Sequence, residues 1–467
     1  MFSARLSSGP APPAQWALAA LSLSMLLSSL GTSIANVALP TFAQVFAASF
    51  QQVQWIVLAY LLTITTLIVS AGRLGDIVGR RRLLLSGIAL FTVASVLCGI
   101  APTLWLLIAA RAAQGLGAAI MMALTLAFVG ETVSKEKTAS AMGLLGAMSA
   151  VGTALGPSLG GLLIAGLSWR AIFLINIPLG IAAFAIAWRR LPADRPKPVR
   201  ASFDVMGTLF LALTLGAYAL AMTLGRGRFG SLNGALLLAA ALGVVVFVAV
   251  EARVASPLIR LAMFRDRLLS ASLIMSVLVS TVLMATLVVG PFYLSRALGL
   301  DAAMVGLVLS AGPIVVALTG IPAGRIADRF GAQRMTAFGL IGIAAGAFVL
   351  SAMPVSFGIS GYLGPIVLIT VGYAFFQTAN NSAVMTEVAA ERRGVISGML
   401  NLSRNLGLIT GASAMGAVFA FASSANDIAA AAPLGVATGM RITFAVAGAL
   451  IVVALVIALA ARASVRP

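Results

Sequence analysis

The 467-residue chain has no histidine and a single cysteine, Cys98. Without histidine it lacks the commonest general base, the usual partner of a nucleophilic serine and the commonest metal ligand. One cysteine, itself inside an apolar run, permits no intrachain disulfide and no cysteine-built metal site. Charge is scarce too: 9% of residues are Asp, Glu, Lys or Arg, against about 25% in an ordinary soluble domain. Most hydrolase and metalloenzyme mechanisms are thereby left without their central groups. The expectation is a protein that is not an enzyme, with no metal and no cofactor.

What is abundant is apolar surface, at 61% of residues. A helix that crosses a bilayer needs roughly 20 mostly apolar residues. Runs of that length start near Trp16, Val53, Leu83, Trp105, Ala141, Ala171, Met206, Gly234, Leu268, Ala302, Met335, Gly361, Val395 and Ile442, which makes fourteen predicted spans. The run from Trp16 exceeds the apolar core of a signal peptide and reads as an uncleaved first span.

An even number of spans puts both termini on one side, and the basic residues choose the side. Five of the 30 lysines and arginines (Arg170, Arg226, Arg228, Arg296 and Arg441) fall on the segments that are outside if the N-terminus is inside. Two, Arg111 and Arg404, fall within spans, and the remaining 23 fall on inner segments. The positive-inside rule then predicts a multi-pass protein of the cell (inner) membrane with both termini cytoplasmic. The net charge of +18 is scattered over short loops rather than gathered on one face, so no nucleic-acid partner is expected. All five tryptophans (Trp16, Trp55, Trp105, Trp169 and Trp188) lie at or near predicted span ends, where interfacial anchors belong.

The Pro- and Arg-rich stretch WRRLPADRPKPVR, residues 188–200, closes a first group of six spans. The expected organisation is a six-helix bundle over 1–190, a cytoplasmic linker over 191–203, two inserted helices over 204–254, and a second six-helix bundle over 255–467. An internal repeat supports the division. GRLGDIVGRRR at 72–82 aligns with GRIADRFGAQR at 324–334, and each copy follows the second span of its bundle. Related halves with a site between them are a recurring transporter plan.

Three further segments carry chemistry. The loop Gly72 to Arg82 combines glycines that permit a tight reversal with an acid set among cations near helix ends. A loop that merely obeys the positive-inside bias would account for the arginines alone. In the fourth span, RAAQGLGAA at 111–119 puts Arg111 at membrane depth, where a charge is costly and rarely idle unless it snorkels to the interface. In the fifth, Gly152, Gly156 and Gly160 recur every four residues and Pro157 removes a backbone donor. That pattern suits close approach by another helix, for packing or for a special seal.

Taken together, these segments resemble signatures of the major facilitator superfamily. The loop at 72–82 resembles its signature loop, RAAQGLG its second motif, and GPSLGG at 156–161 its antiporter motif. LGTSIANVALP at 30–40 and WRAIFLINIPLG at 169–180 look like further signatures of the 14-spanner drug:proton antiporter branch. The resemblance implies an all-α membrane protein of the major facilitator fold: fourteen transmembrane helices, arranged as two six-helix bundles around a central cavity plus two inserted helices. It further implies a conformational latch at Gly72, Asp76, Gly79 and Arg80, repeated at Gly324, Asp328 and Gly331. Arg111 and Gln114 would form a coupling region, and Gly152, Gly156, Pro157, Gly160 and Gly161 a bundle interface or gate.

One departure stands out: the branch carries an acid in span one where this sequence has Gly31. The twelve carboxylates (Asp76, Glu131, Glu136, Asp194, Asp204, Glu251, Asp266, Asp301, Asp328, Glu387, Glu391 and Asp427) all read as loop or span-end residues. With no acid expected at mid-membrane, the cavity should favour a neutral or anionic amphiphile over a lipophilic cation. Proton coupling, which the antiporter motif suggests, would fall to Asp76 or Asp301. Polar residues that could line a cavity, or simply bond neighbouring helices, are Asn36, Tyr60, Thr63, Gln377, Asn380, Asn381, Asn401, Arg404 and Asn405.

The resulting expectation is an exporter of hydrophobic or amphiphilic small molecules that works by alternating access. Its partners are a small-molecule substrate, protons and the lipid bilayer, and the chain is expected to be monomeric. The alternatives are an uptake carrier for a specific metabolite and a membrane sensor or enzyme on the same scaffold.

Overall fold

The computed structural model describes residues 12–132, 138–192, 194, 204–224, 230–254, 261–386, 393–423 and 432–463, and all regular structure among them is helical. In lipid this is the economical solution, because a helix satisfies every backbone polar group within its own segment. The first bundle comprises α1 (Pro12–Val37), a short α2 (Leu39–Val45), α3 (Phe50–Val78), α4 (Arg80–Ile100), α5 (Leu104–Thr132), α6 (Thr138–Gly166), and a sixth span made of α7 (Ala171–Leu174) and α8 (Asn176–Arg190). The inserted pair is α9 (Val205–Thr223) and α10 (Ser231–Glu251). The second bundle comprises α11 (Arg267–Phe292), α12 (Ala302–Phe330), α13 (Ala332–Ala352), α14 (Gly358–Thr386), α15 (Arg393–Thr410), α16 (Gly416–Ala422) and α17 (Pro433–Ala463). Among the described residues, fourteen helices are long and apolar enough to cross a membrane.

Span ends follow local chemistry. Ser49 and Gln52 form a reciprocal capping box at the start of α3, and Asp204, Asp266 and Asp301 cap α9, α11 and α12 through backbone N–H groups. Among the described residues, these three acids are spent at helix ends. Both copies of the internal repeat end in the same device. Gly79 (φ +107°) closes α3 and opens α4, and Gly331 (φ +88°) closes α12 and opens α13. Each donates its N–H to the carbonyl four residues back, Gly75 at 3.0 Å and Ala327 at 2.9 Å. A side chain would be strained at either φ, so glycine is what permits the reversal.

One boundary differs from expectation. The last span begins at Pro433 rather than near Ile442. Proline fits the first helical turn, where its missing donor has no partner to lose. Arg441 consequently lies inside α17, and its Nε donates to the Ser351 carbonyl of α13 at 3.0 Å.

Because consecutive spans alternate in direction, the helix ends at residues 78–80, 190, 251–267 and 330–332 share an arginine-rich face. Those at 37–50, 100–104, 166–171, 292–302 and 352–358 share the opposite face. The buried core is divided unequally between the two halves. Toward the opposite face one cluster runs through both bundles, taking in Phe42, Phe50 and Trp169 of the first and Phe292, Tyr362 and Phe419 of the second. Toward the arginine-rich face the first bundle has its own core around Leu84, Phe91 and Phe128, while the second has two small ones around Leu273 and Ala379. The bundles share one core at one face and keep separate cores at the other.

Candidate functional site

Arg111 is fully buried in the first bundle, and its partners among the described residues are neutral. Its Nε donates to the Ile56 carbonyl at 3.0 Å, Nη2 to the Gly31 carbonyl at 2.9 Å, and Nη1 to Gln114 Oε1 at 2.6 Å. The guanidinium lies 4.1 Å from the Tyr60 ring centre and 6.0 Å from that of Phe173. Gln114 in turn donates to Ser95 Oγ at 2.8 Å, and Ser95 to the Phe91 carbonyl. One side chain on α5 thus ties together α1, α3 and, through Gln114, α4. Carbonyl dipoles and an aromatic face satisfy the donors of a guanidinium without cancelling its charge.

Gly31 is fitted to this arrangement. A Cβ placed there would lie 2.8 Å from Tyr60 Oη and 3.3 Å from Phe91 Cζ. Tyr60 Oη is itself fixed, donating to the Ser28 carbonyl at 2.7 Å. The position at which the family resemblance implies an acid is closed to any side chain while Tyr60 stays where it is.

The glycines of α6 divide between two neighbours. A Cβ at Gly152 would meet the Leu26 carbonyl at 2.5 Å, and one at Gly160 would meet Val37 at 2.7 Å, both on α1 of the same bundle; Gly156 likewise abuts Ser33. Gly161 faces the other bundle instead. A Cβ there would meet the Ala302 carbonyl at 2.6 Å and Gly306 Cα at 2.8 Å, while one on Gly306 would meet the Pro157 carbonyl at 2.5 Å. The four-residue stripe packs the first bundle, and the adjacent Pro157–Gly161 face meets α12 backbone to backbone.

Other contacts at the opposite face reinforce this crossing. Gln54 Nε2 of α3 donates to the Ala412 carbonyl at 2.8 Å. That carbonyl belongs to a π-helical segment, Gly411–Met415, between α15 and α16, where the ordinary ladder is interrupted. Phe50 packs edge-on against Phe292 at 4.8 Å and Phe419 at 5.4 Å. The inserted helix α9 also touches the π-helical segment. Gln54, Phe50 and Gly306 carry no signal in the sequence, because each reads as an ordinary residue of a span end until its partner in the other bundle is known.

At the arginine-rich face the two glycine reversals sit in corresponding places. The side chains of Asp76 and Asp328 lie outside the described ones; Gly72 and Gly324 are half-buried. Arg80 Nη1 reaches the Ala127 carbonyl at 3.4 Å. Asp194 supplies an unforeseen contact: from the linker, its carboxylate accepts from the backbone N–H of Arg81 at 2.8 Å and of Arg82 at 3.1 Å. The Arg81 guanidinium meanwhile bonds the Trp188 carbonyl and lies over its ring. The start of α4, which Gly79 cannot cap with a side chain, is capped from 112 residues away in sequence.

The residues singled out as cavity candidates are dispersed. Tyr60 is fully buried beneath Arg111, and Thr63 donates to the Ala59 carbonyl beside Gly115. Asn380 is buried and donates to the Ser272 carbonyl at 3.4 Å. Asn36 is buried with its amide donor on the Thr32 carbonyl, its Oδ1 carrying no partner among the described residues. Asn405 is buried with its Nδ2 in the same condition, and Gln377, Asn381, Asn401 and Arg404 are half-buried.

The comparisons place these features in context. A family model described as the Major Facilitator Superfamily matches residues 21–412. The chain is 32% identical to the uncharacterized transporter YebQ of Escherichia coli K12 over 404 residues, covering 86% of this chain and 88% of that protein. It is 32% identical to the multidrug resistance protein Stp of Mycobacterium tuberculosis, with coverage of 86% and 75%. It is 30% identical to the riboflavin transporter RibZ of Clostridioides difficile, with coverage of 85% and 86%. Among solved structures, a bacterial homologue of the human lysosomal transporter Spinster, in an inward-facing and occupied conformation, superposes with a TM-score of 0.69 at 16% identity, covering 97% of this chain and 98% of that one.

Proposed function

The chain belongs to the Major Facilitator Superfamily, and on that premise we propose that this multi-pass membrane transporter exports hydrophobic or amphiphilic small molecules by alternating access. The observation that carries the mechanism is the divided core: one cluster spans both bundles at the opposite face, and separate clusters serve them at the arginine-rich face. Two bundles joined at one face can rock about that contact. The joint itself is of a kind that can be made and broken: among the described residues it combines the shared apolar cluster with the Gln54–Ala412 amide–carbonyl bond, the edge-on pairs of Phe50 and the glycine crossing. Placing the arginine-rich face in the cytoplasm of a cell (inner) membrane follows from the basic-residue bias, and the arrangement is then closed to the outside. The relative named as a multidrug resistance protein supports export of drug-like compounds. The riboflavin transporter supports a second reading, a carrier for one vitamin-sized metabolite.

Arg111 bears on the charge of the substrate. Its donors are met by neutral groups, so its positive charge stands uncancelled by any of those contacts, in a low-dielectric interior where charges act over long range. Gly31 offers no carboxylate to bind a proton or attract a cation at this depth. The central cavity that the family resemblance implies therefore suits neutral and anionic amphiphiles better than lipophilic cations. Proton drive, if used, runs through acids at the span ends such as Asp76 or Asp301, and the protein works as a monomer of two rocking halves, 1–190 and 255–467.

Accumulation of a chemically diverse compound panel in cells with and without the protein, repeated with an uncoupler, tests the reading. Export of neutral and anionic amphiphiles that stops when the proton gradient collapses is expected. Net uptake of a single metabolite would replace export with the carrier reading, and efficient export of lipophilic cations would overturn the charge preference.

A further inference from the structure

The inserted helix α9 lies along α3 and is pinned to it at two points. Toward the arginine-rich face, Ser70 Oγ of α3 and Thr208 Oγ1 of α9 are 2.6 Å apart; toward the opposite face, Trp55 Nε1 donates to Thr223 Oγ1 at 3.1 Å. Both threonine hydroxyls donate to carbonyls of their own helix stretch, Thr208 to Asp204 at 2.7 Å and Thr223 to Ala219 at 2.8 Å. A hydroxyl has one proton, so each threonine is left to accept, and α3 supplies the donor both times. Fifteen residues separate the pinned positions on α3 and fifteen on α9, about 22 Å of helix at 1.5 Å per residue. The equal spacing lays the two helices side by side, and a rod held at two points that far apart cannot pivot on its support.

Helix α10 is fastened to α9 in turn. Asn233 Nδ2 donates to the Ala221 and Leu224 carbonyls at 2.7 and 2.9 Å, and Asn233 Oδ1 accepts from the Gly230 N–H at 3.0 Å. Gly243 passes so close to α9 that a Cβ there would lie 2.3 Å from Thr214 Oγ1. The pair is therefore one hairpin, carried on the first bundle.

Toward the second bundle, α9 touches the π-helical segment Gly411–Met415 and α16, both near the opposite face. The Tyr218 hydroxyl of α9 is within hydrogen-bonding reach of Thr410, just before that segment, and of Ser413 inside it. These two hydroxyls are again committed as donors, Thr410 to the Leu406 carbonyl at 2.9 Å and Ser413 to the Ile409 carbonyl at 2.7 Å, so Tyr218 is the donor to them. Gln54 of α3 bonds the Ala412 carbonyl in the same stretch. A segment whose helical ladder is already interrupted thus takes hold of the first bundle and of the inserted hairpin together. Leu211 and Leu215 of α9 pack into the apolar cluster that both bundles share.

We propose that the inserted pair is a rigid extension of the first bundle and serves as a conformational brace: through Tyr218 it grips the second bundle while the opposite face is closed, and it lets go when that face opens. This inference rests on the rocking of two bundles proposed above and adds a second breakable bond to the one made by Gln54. The two extra helices then set how often the transporter opens at the opposite face, not what it binds.

Double electron–electron resonance on the full chain in detergent tests the proposal with three pairs of nitroxide labels. Val45 with Leu298 reports the joint between the bundles, Leu232 with Leu167 the hairpin against the first bundle, and Leu232 with Phe421 the hairpin against the second; Leu167, Leu232 and Phe421 are exposed. The Leu232 and Leu167 labels should keep one separation while the Leu232 and Phe421 labels move apart together with those at Val45 and Leu298. Tyr218→Phe, which keeps the ring and removes the hydroxyl, should raise the long-separation population of the Val45 and Leu298 labels about fivefold. Adding Thr410→Val and Ser413→Ala should raise it no further, because the partner is already gone. A change between Leu232 and Leu167 while the joint moves would overturn the brace and leave the rocking intact, as would an unchanged population in Tyr218→Phe. The three separations in the otherwise unaltered chain decide the matter even if Tyr218→Phe fails to fold. Labels at Val45 and Leu298 that never move in a protein still able to transport would sink the rocking, and the brace with it.

Discussion

Arg111 Nη2 donates at 2.9 Å to the carbonyl of Gly31, the residue whose missing side chain leaves room for the Tyr60 hydroxyl. The cation is thus held by the backbone of the very position where the family resemblance implies an acid. Its stability depends on a set of neutral contacts, and each of them can be disturbed separately.

Restoring an acid at that position is the most direct test. Gly31→Asp forces a Cβ to within 2.8 Å of Tyr60 Oη and should cost roughly 1 to 3 kcal/mol by overpacking. Gly31→Asp combined with Tyr60→Phe removes the clashing oxygen and lets the new carboxylate meet Arg111. Thermal unfolding in detergent should show the single variant destabilised and the double variant partly recovered. Export of lipophilic cations should rise in the double variant, and no change in charge preference would detach Arg111 from selectivity.

Breaking the joint between the bundles should shift the conformational balance. Gln54→Ala removes a hydrogen bond worth about 1 kcal/mol, or about fivefold in an equilibrium. Gly416→Ala, whose methyl would run into the Gln54 amide, should act in the same direction. Spin labels at Val45 and Leu298, measured by double electron–electron resonance, should report a larger population with longer separation at this face.

The two faces of α6 should respond differently to the same small change. Gly152→Ala pushes a methyl against the Leu26 carbonyl within one bundle, so folded yield and melting temperature should fall. Gly306→Ala pushes a methyl against the Pro157 carbonyl of the other bundle. It should leave folded yield near normal while transport falls sharply, because only closure is blocked. Equal losses of yield would remove the distinction between packing face and gate.

Asp194 should act as a remote helix cap. Asp194→Ala leaves the Arg81 and Arg82 backbone N–H groups without their acceptor and removes a negative charge from a helix N-terminus, at about 1 kcal/mol. Asp194→Asn, which can still accept hydrogen bonds, should lose less. The difference between the two in melting temperature separates hydrogen bonding from charge.

Much of this architecture is readable in the chain. Fourteen apolar runs foretell fourteen spans because crossing lipid demands length and hydrophobicity, both local properties. The paired glycine loops foretell the two reversals at Gly79 and Gly331, because only glycine adopts those backbone angles without strain. The start of the last span is not legible in the chain, because Arg441 reads as a loop residue until the Ser351 carbonyl is found beside it.

Of the candidate site, the residue types were legible and their partners were not. Arg111 and Gln114 announce themselves as polar groups at membrane depth, but nothing in the order of residues says that Gly31, Ile56 and Tyr60 surround them. The glycine stripe of α6 signals close approach without saying to which neighbour, and Gly161, one place off the stripe, turns toward Gly306. Sequence alone settled the number of crossings, the repeat and the shortage of acids, since these depend on composition and short-range order. Tertiary structure decided which helices seal against each other and how the buried Arg111 is held by neutral partners. Those outcomes depend on side chains far apart in the chain that meet only once the helices have packed.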